Sequence, residues 1–358
     1  MKRKRFVCQP VPFSRSRCQS PMIKVVFFGT PQFAVASLQA LLNSDCCQVV
    51  GVVTQPDKHR GRGQQLSPSP VKEVAVDHGL PVFQPQRIRT DTPTIIQLHQ
   101  LQADLFVVVA YGQILSPEIL QIPPLGCVNV HGSLLPAYRG AAPIQWSLYH
   151  GEAMTGITTM LMDEGMDTGA MLLKRTMAVQ LLDDAPTVTP QLAELGAQLL
   201  LETIQTLLST GIIPTPQNSE YATYAPRISK KDFPLDWHRP ALSLHNQIRG
   251  FTPDCTTLFR HQPLRVLASA PLGDSYWVQL PQELAAIARQ WSSITPMVNP
   301  KPVPGEIIHL VKAIGPIVQT GDGLLLIRRV QLPGKRVQTG WDVVNGLRLK
   351  IGEAFTNG

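Results

Sequence analysis

The sequence predicts an α/β domain built on a mostly parallel sheet, followed by a small all-β barrel or sandwich. Three observations predict it. Continuous apolar strands alternate with helical patterns from residue 23 to about residue 208, as strands covered on both faces do. At Thr210 the texture becomes polar and proline-punctuated. Beyond that stretch, several short strand-like runs are separated by turn residues.

The elements follow in order. Residues 23–28 are an apolar run closed by Gly29-Thr30-Pro31, and 33–42 carry a helical pattern. Residues 48–54 read as a strand, 71–78 as a helix, 82–84 as a short strand and 93–101 as a helix. Two buried strands are expected at 105–110 and 127–131. Residues 155–162 and 171–176, joined by 163–169, read as a strand pair appended to the parallel sheet. Leucines and isoleucine recur at helical spacing over 191–208. Pro214, Pro216, Pro226, Pro234 and Pro240 then mark a linker. Strands are expected at 256–259, 264–268, 276–280, 306–311, 317–320 and 324–330. Residues 282–302 interrupt them as an inserted loop with one helical stretch. The expected organisation is a leader at 1–21, a catalytic domain at 22–209, a linker at 210–239 and a C-terminal domain at 240–358.

Composition narrows the class. With 358 residues, 44% apolar and 16% charged, the chain has length for two domains and apolar side chains for a real core, which excludes wholesale disorder. No stretch approaches the length of apolar residues that a membrane-spanning helix needs. The six cysteines form no Cys-x-x-Cys pair, which argues against a disulfide framework or a zinc ribbon and for a reducing compartment. Charge is unevenly divided. Residues 1–21 carry six basic groups and no acid, residues 22–226 carry 10 basic and 16 acidic groups, and residues 227–358 carry 16 basic and 9 acidic groups. A basic last third beside an acidic middle fits either a polyanion partner or an ordinary solvated surface. The leader lacks the apolar core of a secretory signal, and Pro10, Pro12 and Pro21 would interrupt an amphipathic targeting helix. A disordered leader is expected, with Met22 as a candidate start.

The chemistry-bearing residues cluster after strand ends. Asn129 and His131 stand two apart at the end of an expected strand, so both project from one face. The carboxyl end of a parallel strand is where an open α/β sheet places its ligands. A carboxamide and an imidazole there could hold a developing oxyanion or move a proton, or serve the fold alone. Asp167 lies in the glycine-flanked loop 163–169 and is a candidate to orient His131 and favour its imidazolium form; an acidic turn is the plain alternative. His131 and Asp167 have no further His or Cys at ligand spacing, so no metal site is expected. Ser133 lacks the elbow motif of a nucleophilic serine, and Cys127 sits mid-strand, where a buried, inert thiol is expected. Gly29-Thr30-Pro31 is not a dinucleotide-binding glycine motif, and reads as a tight strand–helix turn. Residues 55–72, with Lys58, Arg60 and Arg62, read as a long mobile basic loop on the same sheet edge as His131, suited to phosphate contacts.

Several of these segments, in order, strongly resemble methionyl-tRNA formyltransferases. They are Phe27-Phe28-Gly29-Thr30-Pro31-Gln32-Phe33-Ala34, the loop from Thr54 to Lys72, Val108-Val109-Ala110-Tyr111-Gly112, Asn129-Val130-His131-Gly132-Ser133-Leu134-Leu135-Pro136 and Asp163-Glu164-Gly165-Met166-Asp167-Thr168-Gly169. The resemblance runs from residue 22 to about 355 and includes Ala193-Glu194-Leu195-Gly196, the 227–237 stretch, Pro304-Gly305-Glu306-Ile307, Gly321-Asp322-Gly323 and Leu332-Pro333-Gly334-Lys335-Arg336. The core around Asn129 and His131 is shared with other 10-formyltetrahydrofolate enzymes. The basic loop and the basic C-terminal third point to the tRNA-dependent branch.

The resemblance implies a Rossmann-like formyltransferase domain and a C-terminal OB-like β-barrel that binds tRNA. It implies Asn129, His131 and Asp167 as the catalytic set, Ser133, Leu134, Leu135 and Pro136 as lining the folate site, and Arg60 and Arg62 as contacts to tRNA. It implies 10-formyltetrahydrofolate as co-substrate, no metal and methionyl-initiator tRNA as acceptor. A cytoplasmic monomer without membrane association is expected, or an organellar protein if residues 1–21 are a transit peptide. Thr252-Pro253-Asp254-Cys255, residues 182–188 and the insertion at 282–302 depart from the family pattern, and the leader has no counterpart. A formyltransferase acting on a small amine such as an amino sugar nucleotide is the alternative, and a catalytically silent RNA-binding module is a third reading. The basic last third argues against the second, and the retained Asn129, His131 and Asp167 against the third.

Overall fold

The computed structural model describes residues 22–60, 65–290 and 302–357. The leader, Cys8, Cys18, Arg62 and the second half of the 282–302 insertion therefore lie outside the described residues, as does the side chain of Arg60.

The chain opens with strand β1 (Ile23–Gly29), helix α1 (Gln32–Leu42) and strand β2 (Cys47–Val53). A hairpin of β3 (Lys58–Arg60) and β4 (Gln65–Ser67) leads into α2 (Pro70–Asp77), β5 (Val82–Phe83) and α3 (Thr92–Gln100). Then come β6 (Leu105–Val109), α4 (Pro117–Leu120), β7 (Cys127–His131) and α5 (Pro143–Tyr149). The first unit closes with β8 (Met154–Leu161), β9 (Met171–Ala178) and α6 (Ala185–Ser209). Apart from the β3–β4 hairpin, these strands form one sheet in the order β5-β2-β1-β6-β7-β8-β9. The first five run parallel, and β8 and β9 add antiparallel to the edge, as the appended strand pair requires.

Strand alternation divides the core. Val25, Phe27, Val107, Val128 and Val130 face Leu38 of α1 and Leu192 and Leu199 of α6. Val26, Phe28, Phe106 and Cys127 face Ile95 and Leu98 of α3 and Ile119 of α4. Both faces are thus covered, which explains why the strands are apolar at consecutive positions.

Three features differ from expectation in this unit. Segment 55–72 is not an open loop throughout: Lys58 pairs with Ser67 and Arg60 with Gln65 in the hairpin. Its base is fixed by Asp57, which accepts from Lys72 Nζ at 2.6 Å and Gln84 Nε2 at 2.8 Å. Helix α6 starts six residues before the expected 191, because Asp184 caps Thr187 N at 3.0 Å and Pro186 falls in the first turn, where a missing N–H is harmless. Helices α4 and α5 were not anticipated; both are short and begin on a proline.

The second unit contains α7 (Ala241–Phe251), β10 (Thr256–Phe259), β11 (Gln262–Leu272) and α8 (Gln282–Ala285). It continues with β12 (Ile307–Val311), β13 (Gly315–Gln319), β14 (Leu324–Gln331), β15 (Val337–Thr339), α9 (Gly340–Leu347) and β16 (Phe355–Thr356). The antiparallel order is β12-β13-β14-β11-β10-β16, with β15 on β14. The two end strands meet: Ile307 N donates to Glu353 O at 2.7 Å, and Phe355 N donates to Gly305 O at 2.8 Å. That contact curls the sheet back on itself, the closure of a small barrel. The expected strand at 276–280 is instead a single 3-10 turn at Trp277–Gln279.

Helix α7 was also unforeseen. It lies between α5 and the barrel, and buries His245, Asn246, Gln247 and Arg249 alongside its apolar residues. Gly250 allows the close crossing, since a Cβ there would stand 2.8 Å from Gln145 O. Its polar groups bind the first unit: His245 Nε2 donates to Leu181 O at 2.7 Å, and Arg249 Nη1 donates to Gln180 O at 3.1 Å. Among the described residues no helix is long and apolar enough to cross a membrane.

Candidate active site

Strand β7 delivers two polar side chains into an apolar layer. Val128 and Val130 point to α6, so Asn129 and His131 share the opposite face, at 8% and 6% exposure. Nε2 of His131 lies 2.9 Å from the carbonyl oxygen of Tyr138. A carbonyl oxygen can only accept, so Nε2 carries a hydrogen and Nδ1 is the nitrogen left to the site.

Asp167 completes the group from the loop between β8 and β9. Its Oδ2 lies 3.6 Å from His131 Nδ1 and accepts from Gly140 N at 2.8 Å. Asn129 Nδ2 donates to its Oδ1 at 3.5 Å. Asp167 has φ of 54°, a left-handed conformation that aspartate tolerates better than most residues. The three residues drawn from the sequence are therefore brought together. A carboxamide N–H, an imidazole nitrogen and a carboxylate converge on one spot at the carboxyl edge of the parallel strands. Such a trio can polarise a carbonyl oxygen and exchange protons with an attacking amine.

One cavity reaches this spot at Asp167, and a second opens next to the first. The inner one, of about 150 Å³, is lined by Gln113, Ile114, Leu115, Met160, Met162 and the loop Asp163–Asp167. An outer cleft of about 560 Å³ shares Gln113 and Ile114 with it and adds Gln55, Asp57, Lys58, Arg87 and Arg89. The outer cleft thus connects the basic hairpin to the Asp167 loop. Gln113, Met162, Arg87 and Arg89 were not picked out from the sequence. Arg87 and Arg89 carried a signal, as paired cations after a strand on the same edge.

The segment from Ser133 to Pro136 follows closely after His131 in the chain. Ser133 is fully buried, and its hydroxyl donates to Ala137 O at 2.6 Å. Leu135 is fully buried as well, with its N–H donating to Thr158 Oγ1 at 3.1 Å and its carbonyl accepting from Lys174 Nζ. Leu134 and Pro136 are half-buried. None of the four lines either cavity. Burial pushes the Cys127 thiol up to about 12, which matches the inert role expected for it. Burial likewise lowers the Lys174 ammonium from its ordinary value.

Comparison with known proteins gives a single picture. A formyl transferase family profile matches residues 23–204, and the profile of the formyl transferase C-terminal domain matches residues 227–348. The methionyl-tRNA formyltransferase of Gloeothece citriformis is 59% identical over 93% of this chain and 99% of that protein. That of Trichormus variabilis is 58% identical over 94% of this chain and 100% of its own length. Among solved structures, the N-formyltransferase of Helicobacter canadensis, determined with folinic acid and dTDP-3-aminofucose, superposes with a TM-score of 0.59 at 18% identity, covering 86% of this chain and 99% of that one. At that identity the likeness is one of fold.

Proposed function

This chain belongs to the methionyl-tRNA formyltransferase family, and we propose that Asn129, His131 and Asp167 carry its chemistry. The reaction is transfer of the formyl group of 10-formyltetrahydrofolate to the α-amino group of methionyl-initiator tRNA, for translation initiation. The amine nitrogen attacks the formyl carbon, a C–N bond forms, and the formyl oxygen becomes an oxyanion. Asn129 Nδ2 donates to that oxyanion. Collapse breaks the bond from carbon to N10 of the folate. One proton leaves the attacking amine and one reaches N10, with Asp167 and His131 placed to carry them. No step uses a metal ion.

The observation that supports this reading most is the convergence of the three groups: Asn129 Nδ2 and His131 Nδ1 stand 3.5 and 3.6 Å from the two carboxylate oxygens of Asp167. The inner cavity, walled by Leu115, Met160 and Met162, is the place we assign to the flat pterin. Arg60, Arg62 and basic residues of the last third, where 16 basic groups stand against 9 acidic ones over 227–358, take the phosphates of tRNA. We take the enzyme to act as a monomer in the cytoplasm, or in an organelle if residues 1–21 are a transit peptide.

The test is formyl transfer from 10-formyltetrahydrofolate to methionyl-initiator tRNA, with free methionine and an amino sugar nucleotide as parallel acceptors. Transfer to the tRNA alone is expected. Transfer to the sugar nucleotide alone would overturn the acceptor, and no transfer at all would overturn the reading of the site.

A further inference from the structure

The segment that joins the two sheets runs along the active site before it reaches the barrel, and grips Asp167 from two directions. The first grip is on the carboxylate. Arg139 N donates to Thr223 O at 2.8 Å, Ala225 N donates to Arg139 O at 2.7 Å, and Ala142 N donates to Ala225 O at 3.1 Å. These bonds hold the Arg139–Ala142 stretch, whose Gly140 N–H binds Asp167 Oδ2.

The second grip is on the backbone. Gln217 Nε2 donates to Asp167 O and to Gly169 O, both at 2.8 Å. Gln217 Oε1 accepts from Arg139 Nε at 2.9 Å and from Arg139 Nη2 at 2.8 Å. A guanidinium has only donors and a carbonyl only accepts, so the amide orientation is fixed by its neighbours. The side chain must accept on one side and donate twice on the other, which a glutamine amide does. Asp167 occupies a left-handed conformation that its own sequence does not enforce, and such a conformation persists where its surroundings over-determine it.

We infer that Gln217 is a positioning residue for the reaction: through Asp167 it sets the distance between the carboxylate and the pair Asn129 and His131. This rests on the assignment of Asp167 to catalysis. It makes the connecting segment part of the active site rather than a tether.

The test is a double-mutant cycle on the full chain. Gln217→Glu keeps the length and the acceptors for Arg139, but presents oxygen where two carbonyls need a donor. It is expected to lower kcat about 10- to 100-fold while KM for both substrates stays within about threefold, because a misplaced group costs rate more than binding. In an Asp167→Asn background the same change should cost less than about threefold, since the group it positions is already gone. If Gln217→Glu does not fold, Gln217→Met, which preserves bulk without donors, reads the same cycle. Wild-type kcat in these variants, or losses that multiply in the Asp167→Asn background, would overturn the inference. Should Asp167→Asn itself retain normal turnover, the assignment of the site fails first, and that outcome is distinct from a failure at Gln217.

Discussion

The carbonyl of Tyr138 determines which nitrogen of His131 is left to face Asp167. It lies 2.9 Å from Nε2, and so leaves Nδ1 facing Asp167 Oδ2 at 3.6 Å. Asn129 Nδ2 meets the other oxygen of the same carboxylate at 3.5 Å. A neutral amide at position 167 would take the carboxylate away from His131 Nδ1 and from Gly140 N. Asp167→Asn is therefore expected to lower kcat by about 10²- to 10⁴-fold, the range of a positioned acid–base group, with the fold intact. A steady-state assay checks it, and turnover within threefold of wild type would remove Asp167 from the mechanism.

Gly140 couples the same centre to the connecting segment. Its φ of 118° suits glycine, and a Cβ there would stand 2.7 Å from Ala225 O. Gly140→Ala should cost about 1–3 kcal/mol of stability and reduce kcat, because the N–H that holds Asp167 Oδ2 must move. Thermal unfolding and kcat measured on the same sample decide this; an unchanged Tm and rate would contradict it.

The basic hairpin makes an electrostatic prediction. If Arg60 and Arg62 meet tRNA phosphates, each replacement by alanine should lessen the slope of log K against log salt by about one counterion. Binding titrations from low to moderate salt test the point. A slope equal to that of the wild type in both variants would place the RNA elsewhere.

His245 gives a dependence on pH. Burial, with lesser contributions from the charges of Arg249 and Arg328, pushes it down to about 3 against the hydrogen bond to Leu181 O. Arg249, Arg328, Arg329 and Asp184 line the cavity beside it. The unfolded chain holds this proton more tightly than the folded one. Its contribution to stability is therefore complete above about pH 6.5 and is lost as pH falls toward 3, at about 1.4 kcal/mol per pH unit. Between pH 7.5 and 5 the wild type should lose more stability in urea than His245→Gln does. Parallel losses would show that the histidine is not the acid-sensitive group.

Sequence reasoning singled out the three residues that converge because two of them lie on one strand. Asn129 and His131 obey the two-residue alternation of β7, and Asp167 sits between glycines that mark a loop. It reached the parallel sheet because its strands are apolar on both faces. It missed α7 because that helix buries His245, Asn246, Gln247 and Arg249 against hydrogen-bond partners, and periodicity counts only apolar residues. It read 55–72 as a loop because a three-residue strand pair rich in Lys, Arg and Gln carries no apolar alternation. Gln217 left no local signal, since its partners are 78, 50 and 48 residues away in the chain.

The most direct measurement is single-turnover formyl transfer by Asn129→Ala with methionyl-initiator tRNA and saturating 10-formyltetrahydrofolate. An oxyanion donor contributes about 2.7–4 kcal/mol to the transition state, so the rate should fall about 100-fold or more while substrate binding is retained. A rate close to that of the wild type would mean that the formyl oxygen is stabilised elsewhere, and that the site built on Asn129, His131 and Asp167 is wrong.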